Sequence, residues 1–296
     1  MRGCSSRLDE RDGKIMIYLL LAIASSAMVS VCMRMSERHV RNTMVMFTVN
    51  YAVCLMIARF YMGDIRLFTA EDGIAVAVGL GLASGCLYLV NFVLLRRSIQ
   101  YSGVVLSSAS MKLGAVLIPV LAAILLFHER MKWPQMAGAT LAVLAILLIN
   151  IEKGDIRHDS KKGWLIALLL LSGLTDTMAN IYDKTGAEAL KNHYLFYTFL
   201  AALFLALAMA LRKGEKAHPA DLFYGVLIGV PNYYSARFLL SALGKLPAVI
   251  VYPVYSVGTI ITVTLIGLMI FHERLSRQKA GALGLILVAL ALLNIP

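Results

Sequence analysis

Ten apolar runs, each long enough to cross a hydrocarbon layer, constrain this 296-residue chain more than any other feature. They occupy 15–34, 43–62, 73–96, 102–126, 134–150, 163–182, 193–211, 220–241, 247–271 and 277–295. A bilayer core of about 30 Å calls for roughly 20 residues at about 1.5 Å of rise each. Because lipid offers no hydrogen bonds, the backbone groups of such a run must pair within it, and a helix does that. The sequence predicts an all-α integral membrane protein with ten transmembrane helices. With 59% hydrophobic and 15% charged residues, little remains outside the bilayer. The polar tail 1–14 and the connecting loop 151–162 are both too short to bury a core of their own.

Several function classes drop out. The net charge of +11 is spread over every loop, as headgroup anchors are, so no nucleic acid is expected as a partner. Cys4, Cys32, Cys54 and Cys86 have no metal-ligand spacing, and three of them sit in apolar runs, where a thiol is a small hydrophobe. Gly244-Lys245 lacks the glycine and hydroxyl of a phosphate-binding loop, so no ATPase is expected. No His/Asp/Glu cluster or activated serine lies in the runs, so neither an enzyme nor a cofactor site is expected. Small residues at Ala24-Ser25-Ser26-Ala27 mimic a signal peptide, but the apolar run exceeds the usual length and its removal would leave an odd helix.

The tetrad Phe127-His128-Glu129-Arg130 returns as Phe271-His272-Glu273-Arg274, 144 residues later. The same shift puts Gly81 on Gly225, Gly85 on Gly229, Gly114 on Gly258 and Asn150 on Asn294. Two copies of five helices, 15–150 and 163–296, account for this register. Since five is odd, the second copy enters the membrane upside down: a 5+5 inverted repeat, in which two halves exchange roles about an axis in the membrane plane. The pairs Gly81-x-x-x-Gly85 and Gly225-x-x-x-Gly229 place small residues where helix backbones can approach closely. The tetrads read as clamps at helix ends, and His128 and His272 as interface residues.

The segment FHERMKWPQMAGATLAVLAILLIN and its echo FHERLSRQKAGALGLILVALALLN resemble the EamA-type, ten-helix members of the drug/metabolite transporter superfamily. The likeness runs over nearly the whole chain. It implies a secondary transporter working by alternating access, in a family whose members handle amino acids, drugs, sugars, nucleotide sugars and sugar phosphates. Nucleotide-sugar and sugar-phosphate transporters are distant relatives that also place a lysine in the fourth helix, where it meets the anionic part of the substrate. In this chain that lysine is Lys112. The ninth span, PAVIVYPVYSVG, has no paired basic residues to complete a phosphate clamp.

Lys112 stands about ten residues from either end of the fourth span, roughly 15 Å from each interface, beyond the reach of snorkelling. An ammonium at that depth costs about 2.5–3.5 kcal/mol unless a wet cavity or a counter-charge receives it. Asp176 is the one carboxylate well inside a span, and it either pairs with Lys112 or shares a cavity with it. Asp176 is also the proton-coupling candidate. Apolar surroundings favour its neutral form and a nearby cation its charged form, so arriving substrate can tip the balance. Arg237, near the exit of the eighth span, offers a bidentate fork for carboxylate or phosphate, with Asn232 and Tyr233 beside it and Pro231 interrupting the helix. Lys112, Asp176 and Arg237 fall at similar depths, so one cavity can hold all three. Asn91, Tyr88 and Tyr255, with Tyr234 and Tyr252, complete the candidate lining.

Two cations and one carboxylate favour a small anionic or zwitterionic metabolite, such as an amino acid, over a bulky cation. The competing reading is a flippase for a lipid-linked sugar or a phosphate-bearing headgroup. The expected partners are a small-molecule substrate, the lipid bilayer and protons as coupling ion, for a monomer or homodimer in the plasma (inner) membrane.

Overall fold

A computed structural model describes residues 2–62, 73–127, 133–134, 136–138, 140–141, 144, 159–213, 216–245, 248–272 and 277–293. Among these residues there is no strand. The helices are α1 (Arg2–Ser36), α2 (Thr43–Met62), α3 (Ile74–Ser102), α4 (Val104–Phe127), α5 (Asp159–Thr185), α6 (Lys191–Lys213), α7 (Pro219–Leu243), α8 (Ala248–Met269) and α9 (Arg277–Leu293), with a 3-10 turn at Glu188–Leu190 before α6. Helices α1 to α4 correspond to the first four apolar runs and α5 to α9 to the last five. The fifth run lies largely outside the described residues, as do His128, Glu129, Arg130, Glu273 and Arg274 of the two tetrads.

Five of the helices are long and apolar enough to cross a membrane: Ile17–Ser36, Thr43–Met62, Ile74–Ser102, Gly163–Thr185 and Glu188–Arg212. Val104–Ile118 and Val254–Met269 are shorter apolar stretches. Large apolar side chains such as Leu20, Met56, Phe60, Phe204, Leu211 and Phe223 point outward, as lipid-facing residues do.

Two boundaries depart from expectation: α1 begins at Arg2, so residues 2–14 of the polar tail are helical and continuous with the first span, and α3 outruns its apolar run. The third run was expected to end at residue 96, with a polar turn after it, yet α3 continues to Ser102. Arg96 explains the extension. Only 4% exposed, it donates to Ser36 Oγ at 2.7 Å and lies 3.7 Å from Met46 Sδ, so its charge is accommodated inside the bundle. The chain then reverses at Gly103, whose φ of 84° is a left-handed value that a side chain would resist.

The most extensive pairings among the described helices all join one half of the chain to the other: α3 with α5 and α6, α4 with α5 and α8, α2 with α6 and α7, and α1 with α7 and α8. Exchanging each apolar run with the one five places away maps this set of pairings onto itself. The repeated glycines lie at these crossings. A Cβ on Gly85 would sit 2.7 Å from Ala201 Cβ of α6, and one on Gly229 would sit 2.8 Å from the Asn50 carbonyl oxygen of α2. Gly114 likewise abuts Ser172 of α5, and Gly258 abuts Ile23 of α1. Lipid supplies no hydrophobic drive for helices to associate, so such close packing and interhelical hydrogen bonds must hold them. Ser108 donates to Ser30 Oγ at 3.0 Å, Ser84 Oγ lies 2.9 Å from Tyr194 OH, and Asn232 donates to Asn50 Oδ1 at 3.2 Å.

The start of α7 is clipped to the α1–α2 turn. Asp221, fully buried, accepts from the Arg41 and Asn42 backbone N–H groups at 2.9 and 3.2 Å through one oxygen. Its other oxygen accepts from the N–H of His218 at 3.0 Å, closing the helix cap.

The crossings generate a stability prediction. Gly85→Val and Gly229→Val each force overpacking, expected to cost about 1–3 kcal/mol and to lower the thermal midpoint of the detergent-solubilised protein. Gly79, with nothing within 4 Å of a built Cβ, tolerates the same change. Equal midpoints for all three variants would contradict the packing described.

Candidate functional site

A cavity of ≈ 80 Å³ lies among α1, α3, α4, α5, α7 and α8. On the measure by which about 10–15 Å³ holds one water it takes several waters, far less than a drug-sized ligand requires. Lys112 of α4 and Asp176 of α5 both line it, with Tyr88 and Asn91 of α3, Asn232 of α7 and Tyr255 of α8.

Lys112 is 4% exposed, and its Nζ sits over the Tyr255 ring, 3.7 Å from the centroid. The ring's negative face offsets part of the cost of desolvating the ammonium. The Tyr255 hydroxyl is fixed by Ser235 Oγ at 3.0 Å. No ion pair within 4.0 Å joins Lys112 to Asp176 among the described residues. The two opposite charges therefore share a cavity without neutralising one another by contact. Asn91 adds an acceptor, because its Oδ1 is buried with no hydrogen-bond partner among the described residues. The Asn232 amide is already engaged with Asn50 Oδ1 and with Cys54 Sγ at 3.6 Å, and Tyr88 packs edge-on against Phe199.

The lining follows the repeat. Four α3 positions, Tyr88, Asn91, Phe92 and Leu95, face the cavity at helical spacing. Shifted by 144 residues they become Asn232, Ser235, Ala236 and Leu239, which are the four α7 residues facing it. Met111 maps in the same way onto Tyr255. The cavity thus lies between equivalent faces of the two halves.

Arg237 and Tyr233 are not part of this lining, which corrects the expectation of one shared cavity for Lys112, Asp176 and Arg237. Similar depth was the wrong criterion. Successive residues on a helix are about 100° apart, so the face carrying 232, 235, 236 and 239 turns 233 and 237 toward other neighbours. Arg237 Nη1 donates to Asn192 Oδ1 at 2.9 Å and to Tyr233 OH at 3.2 Å. Its guanidinium also lies 3.7 Å from the centroid of the Tyr61 ring. Tyr61 stacks on Tyr233 at 5.9 Å, and its hydroxyl is 3.4 Å from that of Tyr234. This second cluster joins α2, α6 and α7.

Tyr252 reaches the site only indirectly, donating to the Asp176 backbone carbonyl at 3.1 Å. Asp183 pairs with Lys191 at 3.3 Å, outside the lining. Sequence reasoning missed Ser26, Ser172, Thr175 and Ser235, all of which line the cavity. Ser235 was recoverable, being the counterpart of Asn91 under the 144-residue shift. Ser172 and Thr175 share a helical face with Asp176, but nothing in their type separates them from packing hydroxyls. Among the described residues no group of three or more His, Cys, Asp and Glu is placed to hold a metal.

Comparisons with known proteins bear on the fold and on the family of the first half of the chain. The chain is 25% identical over 278 residues to an uncharacterized protein of Haemophilus influenzae, covering 90% of this chain and 93% of that one. A solved crystal structure shares the fold with a TM-score of 0.59 at 14% identity, covering 95% of this chain and 96% of the other. Residues 13–151 match the EamA-like transporter family. That match covers just under half of the chain; with five helices long and apolar enough to cross a membrane, it points to a multi-pass membrane protein of transporter type, consistent with the drug/metabolite transporter superfamily.

Proposed function

We propose that the chain is a secondary transporter that carries a small zwitterionic or anionic metabolite, an amino acid or a close relative, across the plasma (inner) membrane by alternating access. The observation that carries this reading is a buried ammonium, Lys112, sharing a small cavity with Asp176 yet not in contact with it. A zwitterion supplies what each lacks, its carboxylate meeting Lys112 and its ammonium meeting Asp176 and the unpaired Asn91 Oδ1. Tyr88 and Tyr255 wall the cavity, and Asn232 holds α7 against α2.

The ten spans form a 5+5 inverted repeat, 15–150 and 163–296, with 1–14 a polar tail and 151–162 the connection. The exchange-symmetric pairing of helices and the matching cavity-facing positions on α3 and α7 support it. Arg237 and Tyr233 act beside the cavity, bracing α2, α6 and α7 where those helices meet. Asp176 is the proton-coupling group.

Uptake of labelled small amino acids, organic acids and nucleotide sugars into proteoliposomes tests this reading. Zwitterionic amino acids are expected to move; if only lipid-linked compounds move, the fold serves a flippase instead. Lys112→Met is expected to weaken equilibrium binding of the transported solute by about 10- to 100-fold through loss of a charged contact. Arg237→Gln is expected to slow turnover while leaving that binding within about threefold of the parent. Equal losses of binding in both variants would restore Arg237 to the substrate site.

Coupling has its own test. Asp176→Asn is expected to abolish the stimulation of uptake by an imposed proton gradient while retaining exchange of solute, at the higher solute concentration that loss of the ammonium's partner demands. Full stimulation in that variant removes Asp176 from the proton pathway.

A further inference from the structure

A second and larger cavity, ≈ 320 Å³, opens at the end of the bundle where α1 gives way to the α1–α2 turn. Its walls are Arg34, Met35, Glu37, Arg38 and His39, together with Tyr224 of α7 and Ile270 and Phe271 just beyond α8. We propose that this cavity binds a phosphate-bearing headgroup of an anionic membrane lipid.

Three observations carry the proposal. The first is location. The apolar stretches Ile17–Ser36 and Val254–Met269 both end at this cavity, so it lies at the level where acyl chains give way to headgroups. The second is charge. Among the described wall residues, Arg34 in the last turn of α1 pairs with Glu37, and Arg38 adds a further positive charge. Arg38 is exposed and forms no ion pair among the described residues. A guanidinium is the side chain best matched to two phosphate oxygens at once.

The third observation is that the walls are fixed and partly apolar. His39 stacks on Tyr224 with ring centroids 5.5 Å apart, and its Nδ1 lies 3.1 Å from both the Tyr224 hydroxyl and the Met35 carbonyl oxygen. Behind them Asp221 clips the turn to α7 through the Arg41 and Asn42 N–H groups. The turn that carries Arg38 is thereby held to the start of α7 on both sides. Ile270 and Met35, 65% and 44% exposed, give the cavity an apolar rim suited to the first carbons of a lipid tail. A soluble phosphate ester would make no use of that rim.

Native mass spectrometry of the full chain in detergent, titrated with phosphatidylglycerol or phosphatidylcholine, tests the assignment. The parent is expected to retain phosphatidylglycerol in preference to phosphatidylcholine. Arg38→Gln is expected to retain it about tenfold less well, the loss of one charged contact. Lys245→Gln removes a positive charge after α7, at the opposite end of that helix from Tyr224, and should bind as the parent does. Millimolar inorganic phosphate is expected not to displace the lipid; displacement would make a soluble phosphate the ligand and overturn the lipid assignment. Equal retention of the two lipids by the parent, or unchanged retention in Arg38→Gln with the thermal midpoint of the parent, would overturn the proposal as a whole. None of these outcomes depends on the central cavity, so they are independent of the transport assays.

Discussion

The close approach of glycine-bearing helix faces is the interaction on which the rest of the structure depends. At Gly81 and Gly85 the backbone of α6 lies against α3, and at Gly225 and Gly229 the backbone of α2 lies against α7. Lipid tails compete for any apolar surface as well as a neighbouring helix does, so only contacts made at this range, with the hydrogen bonds they permit, favour helix over lipid. Ser84 reaches Tyr194, and Asn232 reaches Asn50, because these crossings are tight. They also hold α3 and α7, the two helices that supply half of the central cavity's lining.

Much of this was legible because the bilayer is a simple solvent. It forces apolar runs into helices and makes a mid-span Lys112 or Asp176 conspicuous, and both residues face the cavity. The glycine pairs at the 144-residue shift point to close crossings from the sequence alone. What could not be read was the rotation of each helix about its axis. Depth follows from counting residues, whereas the direction of a side chain depends on packing against helices distant in sequence. Arg237 was misplaced for this reason, and Asn232, five residues before it, was not. The third run was ended at Arg96 because the partners that admit this charge to the bundle, Ser36 and Met46, lie 60 and 50 residues away.

The repeat supplies the frame, and the chemistry lies where the two halves differ. Tyr88, Asn91 and Phe92 on α3 face the cavity opposite their smaller counterparts Asn232, Ser235 and Ala236 on α7. Lys112 has Ser256 as its counterpart, Asp176 has Cys32, Arg237 has Val93 and Asp221 has Ala77. Each charged group within the bundle is therefore present in one half alone. The proposed duplication would give two equivalent walls, and a strictly symmetric cavity would present the same group from both. A zwitterion has unlike ends and needs unlike groups to receive them. With its cation on α4 and its carboxylate on α5, the cavity carries the asymmetry that such a solute requires, on a scaffold whose crossings remain symmetric.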